Sequence, residues 1–559
     1  MNQILSRYGL LLIALFSAVF FIPFIGGMHL FDWDEINFAE CAREMIVTGD
    51  YLNVHIDFKP FWEKPPLFIW LQVLSMKVFG INEFAARFPN AICGVITLML
   101  LYRIGERLHS KTFGFWWAFV YAASILPQLY FRSGIIDPWF NLFIFLSLDQ
   151  VAKYAASPLP ANSKSRNALG AGVFIGLAVM TKGPTAFLIL GLVLLIFFIP
   201  LLWKKQRAKD EEIHMFFQWK HVPVFVLSAL MTGGFWFILQ FLNGNGAMVV
   251  KFIMYQVRLF TIPDAGHGGH WSYHFWVLLL GVFPASVLAM KSFRKSPGSQ
   301  AQLALFHRLM LILFWVVLIL FSIVKTKIVH YSSLCYYPLT FMAANTITGL
   351  LEGKLKWNRW LTALMLFIAF LPALVVIALP VALQYKQEII DSGLIKDAFA
   401  VANLRADVHW SGFESLIGLV LLSGAVGFAV LWRRNLRKGL TLLLVSSLLF
   451  TWLVILVFPY KIEKYSQGAV IEFLKDKSDE ECYILNSGYF SYAPLFYARK
   501  MPEDVKRPMW LLTEDIDRPF YLVLKEPHYE EWKHIIPAMK VLYKKNGFVF
   551  LERVDSGRK

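Results

Sequence analysis

The sequence predicts a polytopic, all-α membrane protein of about thirteen transmembrane helices, with a small α/β domain outside the bilayer at its C-terminal end. Three observations carry that prediction. Apolar residues make up 57% of the 559 positions and the mean hydropathy is +0.54, above the roughly 45–50% apolar content of soluble domains. The apolar residues gather in repeated runs long enough to cross a hydrocarbon core at about 1.5 Å per residue. After Pro459 the runs stop and short alternating segments replace them.

Taken in order, the candidate spans are about 9–28, 88–102, 113–130, 138–152, 168–181, 184–203, 221–242, 272–290, 309–324, 333–351, 360–384, 411–432 and 439–459. Residues 67–80 are apolar as well and read as an amphipathic helix lying at the interface. The first run has a basic start, and no small-residue cleavage site follows it before Asp32, so it reads as a retained span. Domain organisation follows: 1–459 as the membrane domain and 460–559 as the extramembrane domain. The latter has an amphipathic helix over Tyr465–Lys475 and strands near Cys482–Leu485, Phe520–Leu524 and Gly547–Leu551.

The formal net charge of +16 is placed as a topology signal and not as a nucleic-acid footprint. Basic residues fill every alternate loop: Arg103, Arg107 and Lys111, then Lys153, Lys164 and Arg166, and on to Arg433, Arg434, Arg437 and Lys438. That alternation puts the N-terminus inside. The loop 31–66 and the C-terminal domain then face outward, the periplasmic side of an inner or plasma membrane. The four cysteines are scattered without CxxC spacing, which argues against a disulfide framework or a thiolate metal site.

The loop Phe31–Pro66 concentrates ionisable, aromatic and proline residues that cannot lie in a bilayer. Asp34 and Glu35 stand at its start, where a carboxylate can accept a proton from an acceptor or help hold a metal ion. Capping of a helix over Ile36–Val47 is an equal alternative for Asp34. Asp137 precedes Pro138 and the span it opens, and capping is again the plainer alternative. On one rim with Asp34, it could instead divide acid and base roles with it. In Glu63-Lys64-Pro65-Pro66 the prolines stiffen the backbone beside a charged pair, and Lys64 suits a phosphate oxygen. A surface ion pair would look the same.

Lys182 sits between two apolar runs, where an ionisable group marks a functional site unless it snorkels to the interface. Arg258 is a second phosphate candidate, and Lys325, Lys327, His330 and Tyr331 add donors on the same side. His267 and His270, with Glu63 or His55, offer the makings of a divalent metal site. Basic interface anchoring is the alternative for the lysines. Ionisable groups crowding one outer face speak against a transporter, which places them midway along spans of inverted repeats.

In combination these residues resemble the GT-C superfamily of membrane glycosyltransferases, nearest to the bacterial aminoarabinose (lipid A) transferases and the protein O-mannosyltransferases. The motifs are Asp34-Glu35 with AECAREM and TGDY, then FWEKPPLFIW, AARFPN, IIDPWF, MTKGP, and FSIVKTKIVHY with Tyr336-Tyr337-Pro338, in order over about 30–340. The resemblance implies a GT-C fold with its active site at the outer membrane face, using a polyprenyl-phosphate-linked sugar and a glycolipid or protein acceptor. It implies Asp34 as the catalytic carboxylate, Asp137 as the cavity's second acid, and Lys64 and Arg258 as contacts of the lipid phosphate. Lys182 and Tyr331 match further cavity positions, and His267 or His270 the region where some relatives place a metal ligand. The local motif HGGHW departs from the aminoarabinose pattern.

Overall fold

The computed structural model describes residues 2–32, 34–156, 161–207, 218–261, 268–293, 301–535 and 539–553. Among them the chain is mainly helical. Five helices are long and apolar enough to cross a membrane, six if one bent pair counts as a single span.

Helix α1 (Asn2–Phe21) leads into the loop 31–66, which folds into α2 (Asp34–Thr48) and a hairpin of β1 (His55–Ile56) and β2 (Lys59–Pro60). The expected interfacial helix is present as α3 (Leu67–Phe79). Next comes α4 (Glu83–Leu108), capped by the Asn82 side chain, which accepts from the Ala85 amide at 2.9 Å. Helices α5 (Asp137–Ala155) and α6 (Ala161–Lys182) form an antiparallel hairpin whose far ends carry two candidate residues, Asp137 and Lys182. Gly172 and Gly176 let α6 lie against the helix Val222–Gly233: a β-carbon at Gly172 would come 1.9 Å from Ser228 Oγ, and one at Gly176 2.8 Å from the Gly233 nitrogen. Small residues four apart are what close approach in a membrane requires. Further on, α7 (Gly246–Thr261) and α8 (Ala301–Ile323) complete the walls around the site.

Several apolar runs that read as single spans are broken. The run 221–242 is two helices, Val222–Gly233 and Phe235–Leu242, bent by 55° at Gly234. Residues 113–130 divide at Ser124 into Lys111–Ala123 and Ile125–Tyr130. Residues 272–290 divide into Tyr273–Gly281 and Ala285–Ala289 ahead of and behind Pro284. Proline cannot supply the interior hydrogen bond, and glycine lowers the cost of a bend. Hydropathy alone does not register either effect.

Helix α9 (Leu436–Tyr465) runs unbroken through position 459, and α10 (Gly468–Asp476) turns away from it. The sheet beyond has the order β3 (Tyr483–Ser487), β4 (Phe520–Lys525), β6 (Phe548–Arg553), β5 (Lys540–Lys545), with β3 parallel to β4 and the other pairs antiparallel. Strand β5 has no counterpart in the sequence reading; its KVLYKK leaves four lysine or tyrosine side chains in solvent and so lacks a buried run. Central β4 is buried from Phe520 to Leu524, as a continuous apolar run demands.

This sheet region grips the loop 31–66. The Tyr497 hydroxyl accepts from the Leu30 amide at 2.7 Å, Gln467 Nε2 donates to the Leu30 carbonyl at 2.8 Å, and Arg43 Nη2 donates to the Lys500 carbonyl at 2.7 Å. Apolar residues of α2, α3, α10 and β4 share one cluster. The loop that carries Asp34 is therefore held from both sides.

Candidate active site

Asp34 and Asp137 are each the first residue of a helix, and among the described residues the contacts of neither side chain are those of a helix cap. No side chain caps α5, and Asp137 turns instead to Lys182, whose Nζ donates to Oδ1 at 2.6 Å. Its other oxygen, Oδ2, is buried and accepts no hydrogen bond among the described residues. His330 stands beside it, with Nε2 3.8 Å from Asp137 Oδ2 and 3.6 Å from Asp34 Oδ2. Two carboxylates from separate elements thus face one imidazole. The Asp34 side chain is 42% exposed and the Asp137 side chain 3%, so Asp34 alone of the two is open to an incoming acceptor.

His330 belongs to the short 3-10 helix Val329–Cys335 and is locked from behind. Asn141 Nδ2 donates to Ser333 Oγ at 2.7 Å, and Ser333 Oγ donates to the His330 carbonyl at 2.5 Å. Burial lowers the His330 pKa from its usual value, against the pull of Asp137. The sequence singles it out only as one donor among several.

A cleft opens beside these groups. Its lining includes the polar residues Lys64, Asp137, Asn141, Lys182 and Gln256, the apolar residues Phe140, Ile189, Phe321, Val324 and Leu334, and Tyr331. Lys182 Nζ lies 5.0 Å from the Tyr331 ring centre, a cation–π distance. Burial lowers the Lys64 pKa, with Glu63 acting in the opposite direction. Tyr255, absent from the sequence reading, links three expected residues: Lys64 Nζ is 5.5 Å and the Arg258 guanidinium 5.3 Å from its ring, and its hydroxyl donates to Glu63 Oε2 at 3.1 Å. The i, i+3 spacing of Tyr255 and Arg258 on α7 was the available signal.

Other sequence candidates take different places. Glu35 is buried and points away from the cavity. It receives Arg87 Nε at 3.0 Å and Nη2 at 2.8 Å, along with the amides of Phe31 and Gly134. Arg87 also donates to the carbonyls of Ile25, Met28 and His29. Every carboxylate lone pair is engaged, so Glu35 anchors the loop and is not placed to catalyse. Lys327 is likewise spent: its Nζ donates to the carbonyls of Phe321, Ser322 and Val324 at 2.9, 2.7 and 2.5 Å, satisfying the end of α8. Lys325 is exposed and does not line the cavity.

The expected metal set, Glu63, His267 and His270, lies only partly within the described residues. Among the described residues no three His, Cys, Asp or Glu side chains converge as ligands. Glu63 is engaged by Tyr255, and His270 Nδ1 is 2.8 Å from Ser272 Oγ. His267 lies outside the described residues. The four cysteines are free and buried.

Comparison with known proteins agrees with this architecture. Residues 63–216 match the family model of dolichyl-phosphate-mannose-protein mannosyltransferases. The undecaprenyl phosphate-alpha-4-amino-4-deoxy-L-arabinose arabinosyl transferase of Photorhabdus laumondii is 26% identical over 391 residues, 69% of this chain and 68% of the relative. The Serratia proteamaculans enzyme of the same name is 26% identical over 452 residues, 78% of this chain and 73% of the relative. The fold superposes on ArnT from Cupriavidus metallidurans, solved with undecaprenyl phosphate bound, with a TM-score of 0.78 at 17% identity, covering 98% of this chain and 99% of that one. In sequence and in fold the chain is similar to glycosyltransferases named for polyprenyl-phosphate-linked sugars.

Proposed function

We propose that the chain transfers a sugar from an undecaprenyl-phosphate-type donor to a hydroxyl or phosphate oxygen presented at the open side of the cavity. The observation that carries this reading is the pair Asp34 and Asp137 about one imidazole, beside a cleft lined by Lys64 and Lys182 together with apolar side chains. A lipid phosphate calls for both kinds of contact. The relatives' names point to an amino-pentose donor, 4-amino-4-deoxy-L-arabinose on undecaprenyl phosphate.

In the reaction, an acceptor oxygen forms a bond to the anomeric carbon while the bond from that carbon to the phosphate oxygen breaks. Asp34 accepts or orients the acceptor's proton. The polyprenyl phosphate leaves with the bonding electron pair, and Lys64 and Lys182, with Arg258 at the rim, offset the charge that builds on it. Low dielectric in the cavity strengthens those contacts. Asp137 holds Lys182, and His330 stands between the two carboxylates.

The proposed site opens on the outer face, with the sheet region beside it, as the alternation of basic loops indicates. The acceptor is proposed to be an outer-face glycolipid of the lipid A kind; the mannosyltransferase family model favours a protein hydroxyl as the second reading. The test incubates purified full-length protein with undecaprenyl-phosphate aminoarabinose, a polyprenyl-phosphate hexose and a nucleotide sugar, each with lipid A or protein acceptors. Mass spectrometry should show a lipid-linked donor consumed and a polyprenyl phosphate released. Folded protein that consumes only the nucleotide sugar would contradict the proposal.

A further inference from the structure

At the ends of α5, α6 and α8 remote from the candidate site lies a second polar cleft. The length of α5 puts it roughly 25 Å from Asp137, at about 1.5 Å per residue. Arg107, Lys153 and Arg166 bring cationic groups to it from α4, α5 and α6, and Ser163, Asn167 and Gln302 add neutral donors. Among the described residues no acid lines it. Asp149, which is 1% exposed, is paired with Arg107 and with Lys153 at 2.8 Å. That pairing fixes both cations in position while leaving a surplus of positive charge. Arg166 has no carboxylate within ion-pair distance among the described residues, and its side chain is exposed.

Leu108, Ala152 and Ala156 are apolar residues in the same lining. A site that combines cationic and neutral donors with apolar residues, set where membrane helices end, matches a glycerophospholipid better than a free anion. We propose that this cleft binds the phosphodiester headgroup of an anionic phospholipid in the leaflet opposite the candidate active site. Basic clefts between membrane helices recognise such headgroups by this combination of point charges and neighbouring acyl chains. The inference does not depend on the transferase reading, because none of its residues touches the catalytic cavity.

Native mass spectrometry of the full chain, released from detergent with phosphatidylglycerol or phosphatidylcholine, tests it. Wild type should retain phosphatidylglycerol about tenfold better than phosphatidylcholine. The double variant Arg166→Glu/Gln302→Glu puts acids in the cleft without touching the Asp149 pairs, and should lower that retention about tenfold. Arg434→Glu/Arg437→Glu, of similar charge change in another basic loop at the same end of the helices, should leave it unchanged. Equal losses in both variants would show general surface attraction and overturn the proposal, as would equal retention in all three proteins. Displacement of the adduct by millimolar inorganic phosphate would assign the site to a free anion and overturn the lipid.

Discussion

Two buried clusters stand on neighbouring residues and are built on opposite principles. Around Glu35 and Arg87 every polar atom is used: two charge-assisted bonds between the side chains, two amides onto the carboxylate, three carbonyls onto the guanidinium. Around Asp34 and Asp137 the accounting is left open. One Asp137 oxygen accepts nothing, His330 stands at 3.6 and 3.8 Å without a hydrogen bond to either acid, and two lysines face a cavity. Complete satisfaction makes a hinge pin for the loop; incomplete satisfaction, held in place by that pin, makes a site ready for a charged ligand. An unpaired buried carboxylate oxygen is costly and persists where a ligand or proton completes it.

The largest expected break in the comparison comes at the pin. Arg87→Met leaves Glu35 charged and buried, which should cost about 3–5 kcal/mol of stability, read as a large fall in Tm and in yield. Arg87→Met combined with Glu35→Gln should recover part of that loss, since the uncompensated charge is gone. At the site the effects should separate. Lys64→Met is expected to lower kcat/KM about 100-fold while costing no more than about 1–2 kcal/mol of stability, because its ammonium faces the Tyr255 ring at 5.5 Å and removing it strips no buried carboxylate of an ion pair among the described residues. If activity and Tm fell together, the distinction between pin and site would be lost.

A third cluster sharpens the contrast through pH. On α2, Glu40 pairs with Arg43 at 2.7–2.8 Å, and Glu44 lies one turn on with one oxygen unpaired. Burial, with the Glu40 charge adding to it, raises the Glu44 carboxyl from 4.5 to about 9. The folded state therefore holds a proton that the unfolded chain releases. Its contribution to stability is complete below pH 4.5 and is lost as pH rises to about 9. Tm measured across that window should fall for wild type relative to Glu44→Gln, with the gap widening toward alkaline pH. A constant gap would mean the carboxyl titrates normally. The smallest effect is expected at Tyr255→Phe, which removes the hydroxyl from Glu63: a change of about 1 kcal/mol, seen as a roughly fivefold rise in donor KM at unchanged kcat.

How much of this was legible depended on whether partners were near in sequence. The loop Phe31–Pro66 announced itself because an apolar chain otherwise spends few charges and prolines. Asp34, Lys64, Asp137 and Lys182 are brought together as their placement at the ends of apolar runs implied. Glu35 was read with Asp34 because the two are adjacent, yet successive helical residues point about 100° apart, and its partner Arg87 is 52 positions away. Lys327 read as a donor toward the lipid phosphate; its turn back onto the carbonyls of α8 is a local backbone geometry that composition does not encode. His330 was visible but unranked, since its meaning lies in the distances to two residues far apart in the chain. Broken spans hid for a similar reason: hydropathy averages across Gly234 and Pro284 without sensing the bend.

The most direct test of the central claim is transfer from undecaprenyl-phosphate aminoarabinose by Asp34→Asn beside wild type, with donor binding and Tm measured on the same preparations. The account predicts a loss in kcat of about 10³-fold, with donor affinity and Tm near wild type, because Asp34 is open to the acceptor and is not part of the pin. An Asp34→Asn protein as active as wild type, or one that lost activity only through failure to fold, would contradict it.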